Sequence, residues 1–235
     1  FGLTPFTRQT LFFSATMAPE IERITNTFLS NPEKIEVARQ ATASETIEQG
    51  VVMFKPSRRD RADSEKRALL RGLVDAEGEA CTNAIVFCNR KIDVDVVAKS
   101  LKKNGYNAEP IHGDLDQSQR MRTLDGFRDG SIRLLIASDV AARGLDIPDV
   151  SHVFNYAPPP KDEDYIHRIG RTGRAGRKGE SYPIVSPEDA KAWDGVLRMI
   201  KKDVAEFMPE GLEAELKDLP PDTGRRGRGR RGDGR

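Results

Sequence analysis

The chain has 235 residues, with 38 basic against 37 acidic side chains, 37% hydrophobic residues and 32% charged ones, which suits one globular domain and something smaller beside it. No apolar run approaches the about 20 residues a membrane-spanning helix requires, and no basic-then-apolar leader is visible. Two cysteines, Cys81 and Cys88, are too few for a disulfide framework or a zinc site, so a reducing, cytoplasmic setting is expected.

The net charge of +1 hides an asymmetry. Residues 224–235 hold six Arg, five Gly and one Asp, a net of +5, which leaves residues 1–223 at −4. The acidic body is not a nucleic-acid binder by bulk charge; that property must come from local constellations.

The chain opens at Phe1 and leads straight into an apolar run, so it reads as starting within a longer polypeptide. Residues 9–13 and 33–37 read as short strands. Between them lies a helix with Pro19 in its first turn and Ile21, Ile24 and Phe28 on one face. Residues 38–44 are small and polar, with no apolar period, and read as a linker. The first 43 residues hold too little to bury a core alone.

From residue 44 to about 205 strand and helix signals alternate. Strands are expected at 50–54, 84–88, 108–111, 134–138, 151–155 and 181–185. Helices are expected at 64–75, 91–104, 117–128, 162–169 and 187–201. That alternation predicts an α/β fold, a parallel sheet with helices on both faces. An extension at 206–223 and the Arg/Gly tail at 224–235 follow. On the last helix Trp193, Leu197 and Ile200 share a face and read as core.

Ligands of such sheets sit at the carboxyl ends of the strands. There the sequence places Cys88, Asn89 and Arg90; His112, Gly113 and Asp114; and Ser138 and Asp139, followed by Arg143, Gly144 and Asp146. Arg168, Arg171 and Arg174 recur every third residue, which in a continuing helix puts three guanidinium groups on one face. Guanidinium forks pair with phosphate, and Gly170 and Gly173 let an anion approach the backbone. The alternative is a solvated, salt-bridged helix surface.

Asp116 and Gln119 fit a capping box; the helix start there, with Gln117 and Arg120, reads either as an anion site or as an ordinary cap. The run from Ser138 to Asp146 reads either as an unremarkable loop or as a site where the Ser138 hydroxyl meets a phosphate and Asp146 a sugar hydroxyl. His112 and His152 have no ligand-spaced neighbours, so no metal site is expected.

Ser14-Ala15-Thr16, Phe87 before Asn89-Arg90, His112-Gly113-Asp114, Gln117 to Arg120, Ser138 to Asp146 and His167 to Arg174 stand in an order that closely resembles the DEAD-box RNA helicases. The resemblance spans about residues 1–200 and is greatest to bacterial members associated with RNA turnover and ribosome assembly, which makes such proteins candidate partners. It implies a carboxy-terminal RecA-like domain, preceded over 1–43 by the end of a first one. It implies that Ser14 and Thr16 couple ATP hydrolysis to strand separation, that Arg171 and Arg174 reach the γ-phosphate, and that His167 links that loop to the first domain.

Gly144 and Asp146 then face the nucleotide, while Asn89, Arg90, Gly113, Gln117, Arg120 and Ser138 hold the RNA backbone. Ser138 departs from the family's usual Thr but keeps the hydroxyl. A phosphate loop and an Asp-Glu-Ala-Asp stretch are absent, so ATP phosphates and Mg²⁺ are left to the first RecA-like domain. The chain therefore reads as half of an ATP-dependent RNA helicase, inactive alone. The alternatives are a non-catalytic RNA-binding or regulatory module and a DNA-acting helicase of the same superfamily.

The tail yields a prediction. Its six arginines lack aromatic neighbours, so any RNA contact is to phosphate. Deleting residues 224–235 should flatten the log–log salt dependence of RNA binding, by up to about 4 on single strands at roughly 0.7 per phosphate. Superimposable salt plots for the full and shortened chains would show that the tail makes no RNA contact.

Overall fold

The computed structural model describes residues 3–5, 7–14, 17, 19–35, 46–142, 145 and 147–212. Thr16, Gly144, Asp146, the linker at 38–44 and the tail at 224–235 fall outside the described residues. The chain divides into two units, Phe1–Gln40 and Ala41–Arg235.

In the first unit the described residues form one helix, α1 (Pro19–Phe28), with proline at its first position, where a missing N–H is harmless. The strand expected at 9–13 does not form, and Leu11 and Phe13 are 69% and 87% exposed. The described part of 33–37 is not a strand either. A strand needs a neighbour to satisfy its backbone groups, and the described residues of this unit provide none. The α1 face is correspondingly bare, with Ile24 and Phe28 40% and 44% exposed.

The second unit is a seven-stranded sheet: β1 (Ile47–Met53), β2 (Ala84–Cys88), β3 (Ala108–Ile111), β4 (Leu134–Ser138), β5 (His152–Asn155), β6 (Gly179–Val185) and β7 (Ala205–Glu206). Their order across the sheet is β3-β4-β2-β5-β6-β1-β7, and every pair is parallel. The helices are α2 (Ala62–Glu77), α3 (Lys91–Lys103), α4 (Gln117–Arg128), α5 (Asp139–Ala142), α6 (Asp162–Ile169) and α7 (Ala190–Ile200). The strands β2, β3 and β4 and the helices α4 and α6 occupy the residues the sequence marks; α5 and β7 are too short to show a period.

Alternate residues of the central strands feed different cores, which is why these strands are apolar throughout. Val52, Val86, Ile136, Phe154 and Ile184 pack with α2 and α3. On the other face Ile85, Phe87, Leu135, Ala137 and Val153 pack with Leu124 and Phe127 of α4. Val51 and Val185 meet α6 and α7 through Tyr165, Ile169, Trp193 and Val196. Trp193 is thus core, set edge-on to Tyr165 with ring centroids 5.6 Å apart. Gly195 makes that docking possible, because a Cβ there would lie 2.5 Å from an Asp162 carboxylate oxygen.

Amide exchange should rank the elements by these contacts. The α1 amides, whose helix buries only Thr25, should exchange fast, and those of Leu134–Ser138, fully buried, should be the slowest. Equal protection of the two would contradict the packing described.

Candidate functional site

In the sheet order β4-β2-β5 three carboxyl ends lie side by side. Asn89 follows β2, Asp139 follows β4 and Asn155 closes β5. One side chain, Arg168 of α6, joins them all and is fully buried. Its Nε and Nη2 donate to the two Asp139 oxygens, each at 2.7 Å. Nη1 donates to Asn155 Oδ1 at 3.1 Å and to the Ala157 carbonyl at 2.8 Å, and Nη2 donates again to Asn89 Oδ1 at 2.7 Å. All five guanidinium N–H groups are thereby satisfied. The guanidinium also lies 5.3 Å from the centre of the Phe87 ring.

This corrects one expectation. The three arginines do not share a face, because α6 stops at Ile169 and Arg168 points inward with Tyr165 and Ile169. The signal was in the sequence: Tyr165, Arg168 and Ile169 stand at the helical spacing of a buried face.

Beyond α6 the chain makes a tightly held turn. Val150 N–H donates to the Arg171 carbonyl at 3.0 Å, and the buried Thr172 hydroxyl donates to the carbonyls of Val150 and Ser151. Thr46 Oγ1 donates to the Gly173 carbonyl at 2.9 Å. Gly173 has φ +70°, and a Cβ there would lie 2.7 Å from Ile47, so only glycine suits the position.

The turn presents Arg171 and Arg174. Arg174 Nε donates to the Gly170 carbonyl at 2.8 Å and Nη1 to that of Ile147 at 3.3 Å, which aims the group. Arg171 is half-buried, and among the described residues no carboxylate pairs with it. Burial, and then the Arg174 charge, lower its pKa from the ordinary arginine value. Arg171 and the exposed His167 border a shallow cleft with Asp139 and Asp164.

The other predicted residues described in the second unit lie at the carboxyl ends of β2, β3 and β4 or just beyond them. Asn89, besides holding Arg168, donates from Nδ2 to the Pro158 carbonyl at 2.9 Å, so its amide is turned into the scaffold. Arg90 is exposed and forms a two-point ion pair with Asp93 at 2.8 Å. Gly113 lies in the turn before α4, whose first residue is Gln117. Asp116 caps α4, accepting from the Gln119 N–H at 2.7 Å; that bond and one from Ser118 hold its carboxyl below the usual range.

Arg120 has a buried Nε without a hydrogen-bond partner. Ser138 is buried at the end of β4, beside Cys88 in the ladder, whose thiol burial pushes up. Ser14 is exposed in the first unit. Sequence reasoning missed the inward role of Arg168 and the partners Asp139 and Asn155 that hold it.

A parallel sheet with helices on both faces, three carboxyl ends joined through Arg168 and an arginine turn held against Thr46, Val150 and Ser151 has the form of a RecA-like domain. Residues 65–176 match the helicase conserved C-terminal domain family. Escherichia coli SrmB, a DEAD-box protein solved with the regulator of ribonuclease activity A, is 34% identical, with 70% of this chain and 93% of that one covered at TM-score 0.63. Saccharomyces cerevisiae Dbp5 bound to RNA and ADP BeF3 superposes at TM-score 0.74 and 28% identity, over 91% of this chain and 55% of that one. DEAD-box ATP-dependent RNA helicase 21 of Oryza sativa subsp. japonica is 39% identical over 91% of this chain and 28% of its own length. ATP-dependent RNA helicase CshA of Limosilactobacillus reuteri is likewise 39% identical, over 91% of this chain and 41% of its own length. The chain thus spans less than half the length of these curated relatives, and it belongs to the DEAD-box RNA helicase family.

Arg168 can be tested directly. Arg168→Lys keeps the charge but cannot reach five acceptors, and it should lower the unfolding free energy by about 3 kcal/mol, at the low end for a broken buried pair. Urea unfolding reads this, and an unchanged midpoint would show that the network does not hold the edge together.

Proposed function

We propose that the chain supplies the carboxy-terminal half of an ATP-dependent RNA helicase, contributing an RNA-backbone surface and two arginines that stabilise the transferring γ-phosphate. The observation that carries this reading is Arg171, half-buried on a rigid turn beside Arg174 and without a counter-ion among the described residues. A preorganised cation in a partly desolvated place favours an anion, and phosphoryl transfer develops negative charge on the equatorial oxygens. Relatives named as ATP-dependent RNA helicases, and the Dbp5 structure with RNA and ADP BeF3, support the same reading.

Among the described residues lining this cleft, Asp139 is committed to Arg168. We assign Mg²⁺ and the phosphate cradle to a first RecA-like domain of the same protein, since the sequence carries no phosphate loop. His167, exposed beside the cleft, would meet that domain, with Ser14 and Thr16 coupling closure to hydrolysis. Gly144 and Asp146 would line the nucleotide side. On the RNA side, Arg90, Gly113, Gln117, Arg120 and Ser138 would follow the sugar-phosphate backbone without reading bases, with Asn89 holding the strand end in place. The unpartnered Arg120 Nε is a donor suited to a phosphate oxygen. Proteins of RNA degradation or ribosome assembly in the cytoplasm are the partners we favour.

The chain alone should show no RNA-stimulated ATP hydrolysis. In the protein carrying both domains, Arg171→Ala and Arg174→Ala should each cut turnover by about 10³, the low end for arginine fingers, with unchanged thermal unfolding. Lysine at either position should rescue poorly, since a point charge cannot reproduce the fork. Undiminished turnover in both alanine variants would overturn the assignment.

A further inference from the structure

The amino edge of the sheet holds a second cluster of chemistry-bearing side chains. Glu77 ends α2, His152 opens β5 and Glu180 lies near the start of β6. The ladder register pairs His152 directly with Glu180. One ligand atom from each of the three residues lies within 4.8 Å of the others.

The hydrogen bonds around His152 fix its tautomer. Ser151 Oγ donates its hydrogen to the Asn83 carbonyl at 2.7 Å, so at the His152 Nδ1, 2.9 Å away, it accepts. Nδ1 therefore carries the hydrogen. Nε2 of a neutral imidazole is then a lone pair, on a side chain only 2% exposed, aimed at Glu77 Oε2 at 3.3 Å and Glu180 Oε2 at 3.4 Å. Among the described residues no Lys or Arg pairs with either carboxylate. A lone pair facing two carboxylates is repulsive unless a cation stands between them.

The distances leave room for a metal ion among the three groups. A charge-assisted N–H···O bond closes to about 2.7–2.9 Å. The observed 3.3 and 3.4 Å instead match the edge of a tetrahedron whose ligands lie about 2.0–2.1 Å from zinc, roughly 3.3–3.4 Å. Outer partners of the kind that orient metal ligands are also in place. Ser151 holds the imidazole, and Tyr182 Oη donates to Glu180 Oε2 at 2.6 Å.

We propose that Glu77, His152 and Glu180 form a binding site for one divalent, zinc-type cation, with the fourth position open to water. One imidazole with two carboxylates suits zinc better than magnesium or calcium, which take oxygen ligands. The ion would tie the end of α2 to the starts of β5 and β6, next to Ser151, whose carbonyl accepts from Thr172 of the arginine turn.

The test uses the whole 235-residue chain, stripped with a chelator and titrated calorimetrically with Zn²⁺ alone at neutral pH. One ion per chain should bind, and Zn²⁺ should raise the thermal unfolding midpoint. Glu77→Gln and Glu180→Gln should each weaken binding by about 10- to 100-fold or more while folding normally by circular dichroism, and Tyr182→Phe by about tenfold. Co²⁺ should give the visible absorption of a tetrahedral site, lost in the same variants. Cys81→Ser, outside the cluster, should bind as the parent does. Absence of stoichiometric binding, or parent-like affinity in both glutamine variants, would overturn the proposal and leave a histidine–carboxylate ion pair. Loss of binding in Cys81→Ser alone would also overturn it, placing the metal on the thiol.

Discussion

A fully buried guanidinium is tolerable only when every one of its hydrogens is met, because removing an unpaired ion from water costs several kcal/mol. Arg168 meets that condition with partners drawn from the ends of β2, β4 and β5 and from the Ala157 carbonyl. The same five bonds that make the charge bearable therefore fix three strand ends relative to one another and dock α6 onto them. The turn carrying Arg171 and Arg174 grows directly from the end of α6, so its placement is inherited from the buried arginine. One short segment thus uses like residues for opposite purposes. The inward arginine spends its charge on scaffold acceptors, and the next one, past Gly170, pairs with no carboxylate among the described residues.

Much of the fold was legible because both faces of the central strands are buried, which makes β2 and β4 continuous apolar runs that resemble nothing else in the chain. The α4 boundary was legible through Asp116, a cap with a mechanism. The apolar stretch at 9–13 misled, because a strand is defined by its neighbours and the described residues around it offer none. The arginine triplet misled because the i, i+3 rule holds only while the helix lasts. At Gly170 the bonding tightens, with the Arg171 N–H returning to the Arg168 carbonyl at 3.1 Å. Asn89 reads as an exposed polar residue after a strand, and nothing in its sequence neighbours tells that its amide bridges Arg168 and Pro158.

The Glu77–His152–Glu180 cluster was beyond the reach of spacing rules for a different reason. Its members come from one helix and two strands, brought together by the parallel register of β5 with β6. Strand β5 has His152 at its start and Asn155 at its end, about 10 Å apart at some 3.3 Å per residue. A single four-residue strand therefore connects the amino-edge cluster to the network that positions the arginine turn. Both ends of that strand are polar and buried, and each is held by groups from other elements.

The position of β1 bears on how the domain is assembled in time. This strand comes first in its unit, yet it lies between β6 and β7, pairing Ile47 with Gly179 and Gly50 with Ala205. During synthesis it must wait, unpaired and apolar, until nearly all the rest of the unit has been made. Its closure is a long-range event that must bear the entropy of a large loop before any contact is gained, which slows folding and leaves a sticky strand exposed meanwhile. Thr46 and Gly173, joined across that closure, also hold the arginine turn. The arginine turn is therefore locked only when the oldest strand finds the youngest ones, so a chain stalled before β6 would have the arginine sequence without the shape that aims it.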